Sequence, residues 1–285
     1  MKEYIAIVSD DLTGANDSGV QLIESGIYAT VLFDVPSQID ANNQHIVINT
    51  NTRILSREDA KKKTKQAGEL LQQSGYEIVY KKMDSTLRGY PGTELKVLQE
   101  IFDSTYVFIA PAYPDMGRIT KNGVHYVDGK KISETEFSQD PKHPIRESSL
   151  VKMIEHEIND KVGLITERDY TSLEVFTDKL KSFSEAHIRF IVCDATKQHD
   201  LEVLANYITS LDENILWAGS AGLAQEWGKI YRSKTPQQNI DQITATQTLT
   251  ICGSLSDITQ AQIEYAIKQR NVKGIELDTT QVFKD

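Results

Sequence analysis

The sequence is poor in cysteine. Its 285 residues hold only Cys193 and Cys252, each in an apolar run, so neither a disulfide framework nor a Cys/His metal spacing can be written and a reducing compartment is expected. Long hydrophobic runs are missing as well, and no stretch approaches the roughly 18 apolar residues that cross a bilayer. Met1-Lys2-Glu3 passes straight into Tyr4-Ile5-Ala6-Ile7-Val8, which leaves no room for a secretion signal. A cytoplasmic protein with no membrane partner is expected. Positive charge is in deficit, with 31 basic against 41 acidic residues and a net charge of −10. Without a basic stripe nothing offsets repulsion by a phosphodiester backbone, which argues against nucleic acid as a partner. The histidines at 45, 125, 143, 156, 187 and 199 are dispersed and form no His-Glu-x-x-His pair, so no metal site is expected among them. His125 is the one to watch, with a hydrogen-bonding role favoured. Gly-x-x-x-x-Gly-Lys-Ser/Thr and Gly-x-Gly-x-x-Gly are both absent, which removes the ordinary phosphate-cradling signatures.

What is present is alternation. Apolar runs at 4–9, 28–33, 45–50, 77–83, 106–110, 162–166, 188–194 and 214–218 are rich in Ile, Val, Tyr and Phe and read as strands separated by amphipathic helices. The pattern predicts an α/β fold, a mostly parallel sheet flanked by helices, followed by the start of a second α/β domain. Ser56 is expected to cap a helix in capping-box fashion with Asp59, and Gly75 to stop it. Between 111 and 146 four prolines break the rhythm, and Val127-Asp128-Gly129-Lys130 carries the signature of a tight hairpin turn. A loop of that length in a compact domain is usually functional. At roughly 150 residues per domain the length suggests about two domains. Residues 1–230 read as the first and the polar stretch 231–247 as a linker. Residues 248–285 read as one βαβ portion, with strands at 248–252 and 274–277 and a helix from about 259 to 269, as though a second domain stopped after its first third. Exposed strand edges there would favour either association, as in a homo-oligomer, or disorder of the tail.

Three polar clusters fall at strand ends, where open α/β sheets build their sites. In Ser9-Asp10-Asp11-Leu12-Thr13-Gly14-Ala15, paired carboxylates precede a helix; they suit orienting a hydroxyl, accepting its proton or holding Mg²⁺, or else Asp11 or Thr13 simply caps the helix. Lys82-Met83-Asp84-Ser85-Thr86-Leu87-Arg88-Gly89 combines two cations, two hydroxyls and a carboxylate, which suits a ligand rich in carboxylate and hydroxyl groups. The bland alternative leaves Lys82 solvated and Asp84–Arg88 a helical i,i+4 pair. Arg53, after the 45–50 run, would add a third strand end. The Pro-rich 110–123 stretch would fold Arg118, Thr120 and Asn122 over the site as a wall.

The order of Asp10-Asp11-Leu12-Thr13-Gly14, the 82–89 cluster, Gly117-Arg118-Ile119-Thr120, Gly123-Val124-His125-Tyr126-Val127-Asp128-Gly129, Thr135-Glu136-Phe137 and Asp140-Pro141 resembles the four-carbon acid sugar kinase family, from residue 5 to about 280. The resemblance implies transfer of the γ-phosphoryl group of ATP, with Mg²⁺, to the terminal hydroxyl of threonate, erythronate or a 3-oxo-tetronate. It implies an N-terminal domain that holds the acid through Asp10 or Asp11, Arg53, Lys82, Asp84, Ser85 and Arg88, and a C-terminal domain in which Ser254 contacts ATP. Arg118 is a further expected substrate contact, and Asp11 or Asp84 the expected acceptor of the hydroxyl proton. Members of the family continue beyond residue 285 and carry a Gly-rich nucleotide loop that is not found here. The chain is therefore expected to bind sugar acid better than it turns over ATP, and the second reading is a sugar-acid-binding, catalytically incomplete part of such a kinase.

A hydrolase reading starts from Gly219-Ser220-Ala221-Gly222, a near relative of the nucleophile elbow. That fold needs a histidine after its serine, and the last one here is His199. Close helix-to-sheet packing is the expected use of those small residues.

Overall fold

Strands that are apolar along their whole length need cover on both faces, and the chain supplies it with a helix after nearly every strand. The computed structural model describes residues 4–39, 44–232, 246–253, 257–269 and 271–278, and the chain divides into two units, Met1–Gln237 and Gln238–Asp285. The first unit runs β1 (Ile5–Ser9), α1 (Leu12–Glu24), β2 (Ala29–Leu32), β3 (His45–Asn49), α2 (Arg57–Gln73), β4 (Ile78–Lys82), α3 (Pro91–Phe102), β5 (Tyr106–Ala110), β6 (Arg118–Lys121), β7 (Val124–Val127), β8 (Lys130–Lys131), α4 (Leu150–Ile158), β9 (Val162–Ile165), α5 (Leu173–Glu185), β10 (Phe190–Cys193), α6 (Gln198–Thr209), β11 (Ile215–Gly219) and α7 (Ala221–Ile230). The eight runs read as strands form one sheet in the order β2-β3-β1-β4-β11-β5-β10-β9, and every neighbouring pair is parallel.

Successive strand residues point to opposite faces, so each strand feeds two cores. Ile5, Ile7, Val47, Tyr80, Phe108 and Trp217 pack with residues of α1, α5, α6 and α7. Ala6, Val8, Ile46, Ile48, Val79 and Ile109 pack with residues of α2, α3 and α4. The helix starts follow their capping residues: Asp11 caps α1 by accepting from the Gly14 amide, and Ser56 caps α2 by accepting from the Asp59 amide. The Asp59 carboxylate accepts from the Ser56 hydroxyl at 2.7 Å, a side-chain variant of the expected capping box. Gly75, at φ +78°, ends the segment.

The break between 111 and 146 is a small three-stranded antiparallel sheet, β6-β7-β8. Asp128 and Gly129 both have positive φ, 49° and 78°, the requirement of a type I′ hairpin. The sheet is joined to the end of β10 by reciprocal bonds between Thr120 and Ala195. At the 218–222 turn, a Cβ on Gly219 would lie 2.5 Å from the Ala110 carbonyl and 2.8 Å from the Tyr80 hydroxyl, and one on Gly222 2.9 Å from the Ala112 carbonyl. Ser220 is buried, caps α7 and donates to the Ala112 carbonyl. These small residues serve packing.

In the second unit the described residues contain one helix, α8 (Asp257–Ile267). The strands expected at 248–252 and 274–277 are not formed. A strand needs a neighbour to pair its backbone, and Leu249, Ile251, Ile275 and Leu277 are all largely exposed. Of the expected 231–247 linker, residues 233–245 lie outside the described residues.

Because a methyl group at position 219 meets backbone, Gly219→Ala should destabilise the chain by about 1–3 kcal/mol. Urea unfolding followed by circular dichroism measures this, and an unchanged midpoint would contradict the packing role.

Candidate functional site

In an open parallel sheet a crevice opens outside the carboxyl ends of the strands where the connections diverge. Here β1 lies between β3 and β4: the chain leaves β1 toward the β2–β3 edge and leaves β4 toward the other edge. Asp10 and Asp11 follow β1, Arg53 lies in a 3-10 turn after β3 (Thr52–Ile54), and Lys82 ends β4.

These groups meet. Arg53 Nε donates to Asp10 Oδ2 at 2.8 Å, while its two terminal nitrogens fork onto the Asp11 carboxylate, each at 2.8 Å. The turn is fixed as well, because the Arg53 amide donates to the Asp10 carbonyl. Lys82 is 4% exposed, which rules out the solvated reading, and its ammonium donates to the Met83 carbonyl at 2.8 Å. Gly14 makes room for it, since a Cβ there would lie 2.6 Å from Asp11 Oδ1 and 2.9 Å from Lys82 Nζ. Burial lowers the Lys82 pKa and Arg53 adds to that, against the opposing pull of Asp10, Asp84 and Asp11.

Asp84 and Arg88 pair at 2.6 Å across a β-turn rather than along a helix, with the Leu87 amide donating to the Asp84 carbonyl. Asp84 also accepts from the Thr86 hydroxyl and amide. Burial would raise its pKa, but Arg53, Arg88 and these hydrogen bonds hold the carboxyl well below the usual range. Both oxygens of Asp11 and both of Asp84 are thus engaged. Asp10 differs: Oδ2 accepts from Arg53, while Oδ1 is buried with no hydrogen-bond partner. A buried acceptor left unpaired is costly, so this oxygen marks a place where a donor belongs.

The support beneath the cluster comes from the opposite face of β4. Lys81, pointing away from Lys82, forms a buried ion pair with Glu94 of α3 at 2.9 Å, their side chains 1% and 2% exposed. Glu94 also accepts from Thr52, beside Arg53, and from Thr64 of α2, and Lys81 donates to the Lys82 carbonyl. From above, His143 Nε2 donates to the Arg53 carbonyl, and the Arg88 guanidinium lies 5.6 Å from the Phe137 ring centroid and 3.8 Å from Asp140. His125 is fully buried on β7 and bonds Thr120 and the Ser85 carbonyl; burial pushes its pKa down to about 4.

Asp10, Asp11, Arg53, Lys82, Asp84 and Arg88 therefore come together, whereas Ser85, in the turn after Asp84, has its carbonyl on His125 and is not brought to the cluster by any bond among the described residues. Arg118 stands on β6 with NH1 on the Met116 carbonyl and makes no hydrogen bond or ion pair to the cluster among the described residues. Ser254 lies outside the described residues. Glu94, Asp140 and His143 were not anticipated as site residues; Glu94 in the first turn of its helix and Asp140-Pro141 in the family pattern were the available signals. Among the described residues no group of three or more His, Cys, Asp or Glu is placed to hold a metal ion. Carboxylates already facing Arg53, Lys82 and Arg88 do not fit a Mg²⁺ shell. No described helix is long and apolar enough to cross a membrane.

Three cations and three carboxylates gather at the switch point of the parallel sheet, the place where open α/β sheets build their ligand sites. The chain belongs to the family described as Sugar-binding N-terminal domain, which it matches over residues 5–227. It is 28% identical over 284 residues to the D-threonate kinase of Salmonella typhimurium, covering 98% of this chain and 64% of that protein. It is 28% identical over 270 residues to the D-erythronate kinase of Heliobacterium modesticaldum, covering 91% and 59%. The chain thus spans about 60% of the length of these relatives. A Bordetella bronchiseptica domain of unknown function, solved as a domain-swapped dimer with bound citrate, superposes with a TM-score of 0.71 at 26% identity, covering 81% of this chain and 58% of that one.

Two outcomes follow from the buried charges. Glu94→Leu alone should cost about 3–5 kcal/mol because it strands Lys81, and adding Lys81→Met should restore much of the loss; denaturant titration of both variants decides it, and an additive double variant would refute the pairing. For His125, a lowered native pKa means stability present above pH 6.5 that is lost as pH falls through about 4. The stability advantage of wild type over His125→Gln should therefore shrink on acidification from pH 7 to 4, by on the order of 3 kcal/mol. A difference that does not change with pH would contradict a neutral buried imidazole.

Proposed function

We propose that this chain holds a four-carbon sugar acid at the ends of β1, β3 and β4, and acts as the acid-binding part of an ATP-dependent kinase for the terminal hydroxyl of threonate or erythronate. The observation that carries the reading is the unpartnered Oδ1 of Asp10, buried beside Arg53 and Lys82. It is an acceptor awaiting a hydroxyl, within a cluster whose cations also suit a carboxylate. Kinship with proteins named D-threonate kinase and D-erythronate kinase and with a citrate-bound domain supports the same ligand class, since citrate too is a hydroxylated carboxylate.

The roles follow from the hydrogen bonds already made. Asp11 and Asp84, with both oxygens occupied, organise Arg53 and Arg88. Asp10 Oδ1 accepts a hydrogen bond from a ligand hydroxyl, the place expected from the sequence for Asp11 or Asp84. Lys82 and the outer edge of Arg88, whose side chain is 30% exposed, face the carboxylate. Phosphoryl transfer asks the protein chiefly for alignment and charge neutralisation, and this cluster offers both for the acceptor.

D-threonate or D-erythronate should raise the melting midpoint of the chain by mass action, while erythritol, with the hydroxyls but no carboxylate, should leave it unchanged. Asp10→Asn should weaken acid binding at least about tenfold in calorimetry. With ATP and Mg²⁺ present, ³¹P NMR reports whether a phosphorylated acid forms. Equal stabilisation by erythritol, or none by either acid, would sink the proposal.

A further inference from the structure

The Asp84–Leu87 turn carries the cluster's third carboxylate, and Arg88 follows it directly. The Leu87 amide closes it onto the Asp84 carbonyl, Ser85 and Thr86 occupy its centre, and Leu87 sits at φ +60° with Gly89 at φ +95° beyond. A β-turn of this kind has an alternative in which the central peptide, here Ser85–Thr86, rotates by about half a turn and exchanges the sides of its carbonyl and N–H. In the observed orientation the Thr86 N–H donates to Asp84 Oδ1 at 3.2 Å, and the Ser85 carbonyl points away and accepts from His125 Nε2 at 2.8 Å. One peptide plane is thus held from both sides.

His125 is itself constrained. Because a carbonyl can only accept, Nε2 carries the proton, and Nδ1 is left to accept from the Thr120 hydroxyl at 3.0 Å. Thr120 and His125 are directly paired across β6 and β7, both fully buried. Thr120 is bonded through its backbone to Ala195, and the His125 amide to the Ser148 carbonyl.

The geometry points to His125, its tautomer set by the Ser85 carbonyl and matched by the Thr120 hydroxyl, as a positioning residue that fixes the Ser85–Thr86 peptide so that the turn shows an N–H, and not a carbonyl oxygen, to the Asp84 carboxylate. A flipped peptide would break the Nε2 bond, leave a buried imidazole N–H unpaired and bring a carbonyl oxygen against the Asp84 carboxylate. The β-branched Thr86 resists the positive φ that a flipped turn demands, and the imidazole adds a bond that only the observed orientation can make. The same arrangement gives the inserted small sheet a role at the site through the His125 bond to the turn. This inference rests on the proposal that the crevice binds a sugar acid.

The test uses the 285-residue chain with three substitutions. His125→Gln keeps an N–H donor near the position of Nε2, His125→Phe keeps a ring without a donor, and Thr120→Val removes the hydroxyl that donates to Nδ1. Calorimetry with D-threonate and D-erythronate should show at least about tenfold weaker binding for His125→Phe and a change within about threefold for His125→Gln, with Thr120→Val between them. In the unliganded wild type, ¹⁵N NMR of the imidazole should show the proton on Nε2, and amide exchange at Thr86 should quicken at least tenfold in His125→Phe but not in His125→Gln. Wild-type affinity in His125→Phe, or a proton on Nδ1, overturns the inference. If His125→Phe fails to fold, the tautomer and the comparison of His125→Gln with Thr120→Val decide it. If wild type binds neither acid, the ligand assignment fails, and the tautomer and Thr86 exchange still judge the positioning role alone.

Discussion

Arg53 holds the crevice together. Its single guanidinium links the end of β3 to both carboxylates that follow β1, with three hydrogen bonds of 2.8 Å. Two adjacent aspartates would otherwise repel each other and loosen the start of α1, which Asp11 caps. A planar, permanently charged fork suits that task in a way that a lysine ammonium would not. With the aspartates pinned, Asp10 Oδ1 remains the one carboxylate oxygen of the cluster that is buried and unpaired.

Beneath this surface layer lies a second set of charges. Neighbouring residues on β4 point to opposite faces, so the Lys81-Lys82 pair places one ammonium in the crevice and the other in the core. The buried Lys81–Glu94 pair need add little net stability, because desolvation offsets most of its attraction. Its value is geometric: Glu94 binds Thr52 and Thr64, and Lys81 binds the Lys82 carbonyl. The ends of β3 and β4 are thereby referred to the same two helices, α2 and α3. Displacement of any one would be felt by the others.

Much of this was legible in the sequence because a parallel sheet has strict needs. Its strands must be apolar throughout, which located all eight, and its polar groups gather at carboxyl ends, which located Asp10, Lys82 and Arg88. Partners distant in sequence were not legible. Nothing about the forty residues between Ser85 and His125, or the forty-odd between Asp10 and Arg53, says that they touch. The same limit misled the reading of 248–252 and 274–277, where apolar runs suggested strands. Apolar character makes a strand possible; a paired neighbour makes it real, and none is formed there among the described residues. At 218–222 small residues had two possible uses, and contact distances chose packing.

The two tryptophans of the chain, Trp217 and Trp227, both sit in the interior between the sheet and α7, Trp227 with its ring centroid 5.1 Å from that of Tyr80. Tyr80 lies on β4 and donates to the Ser220 carbonyl. Indole emission from this molecule therefore originates entirely in the Met1–Gln237 unit. It is an intrinsic optical gauge of that unit's melting.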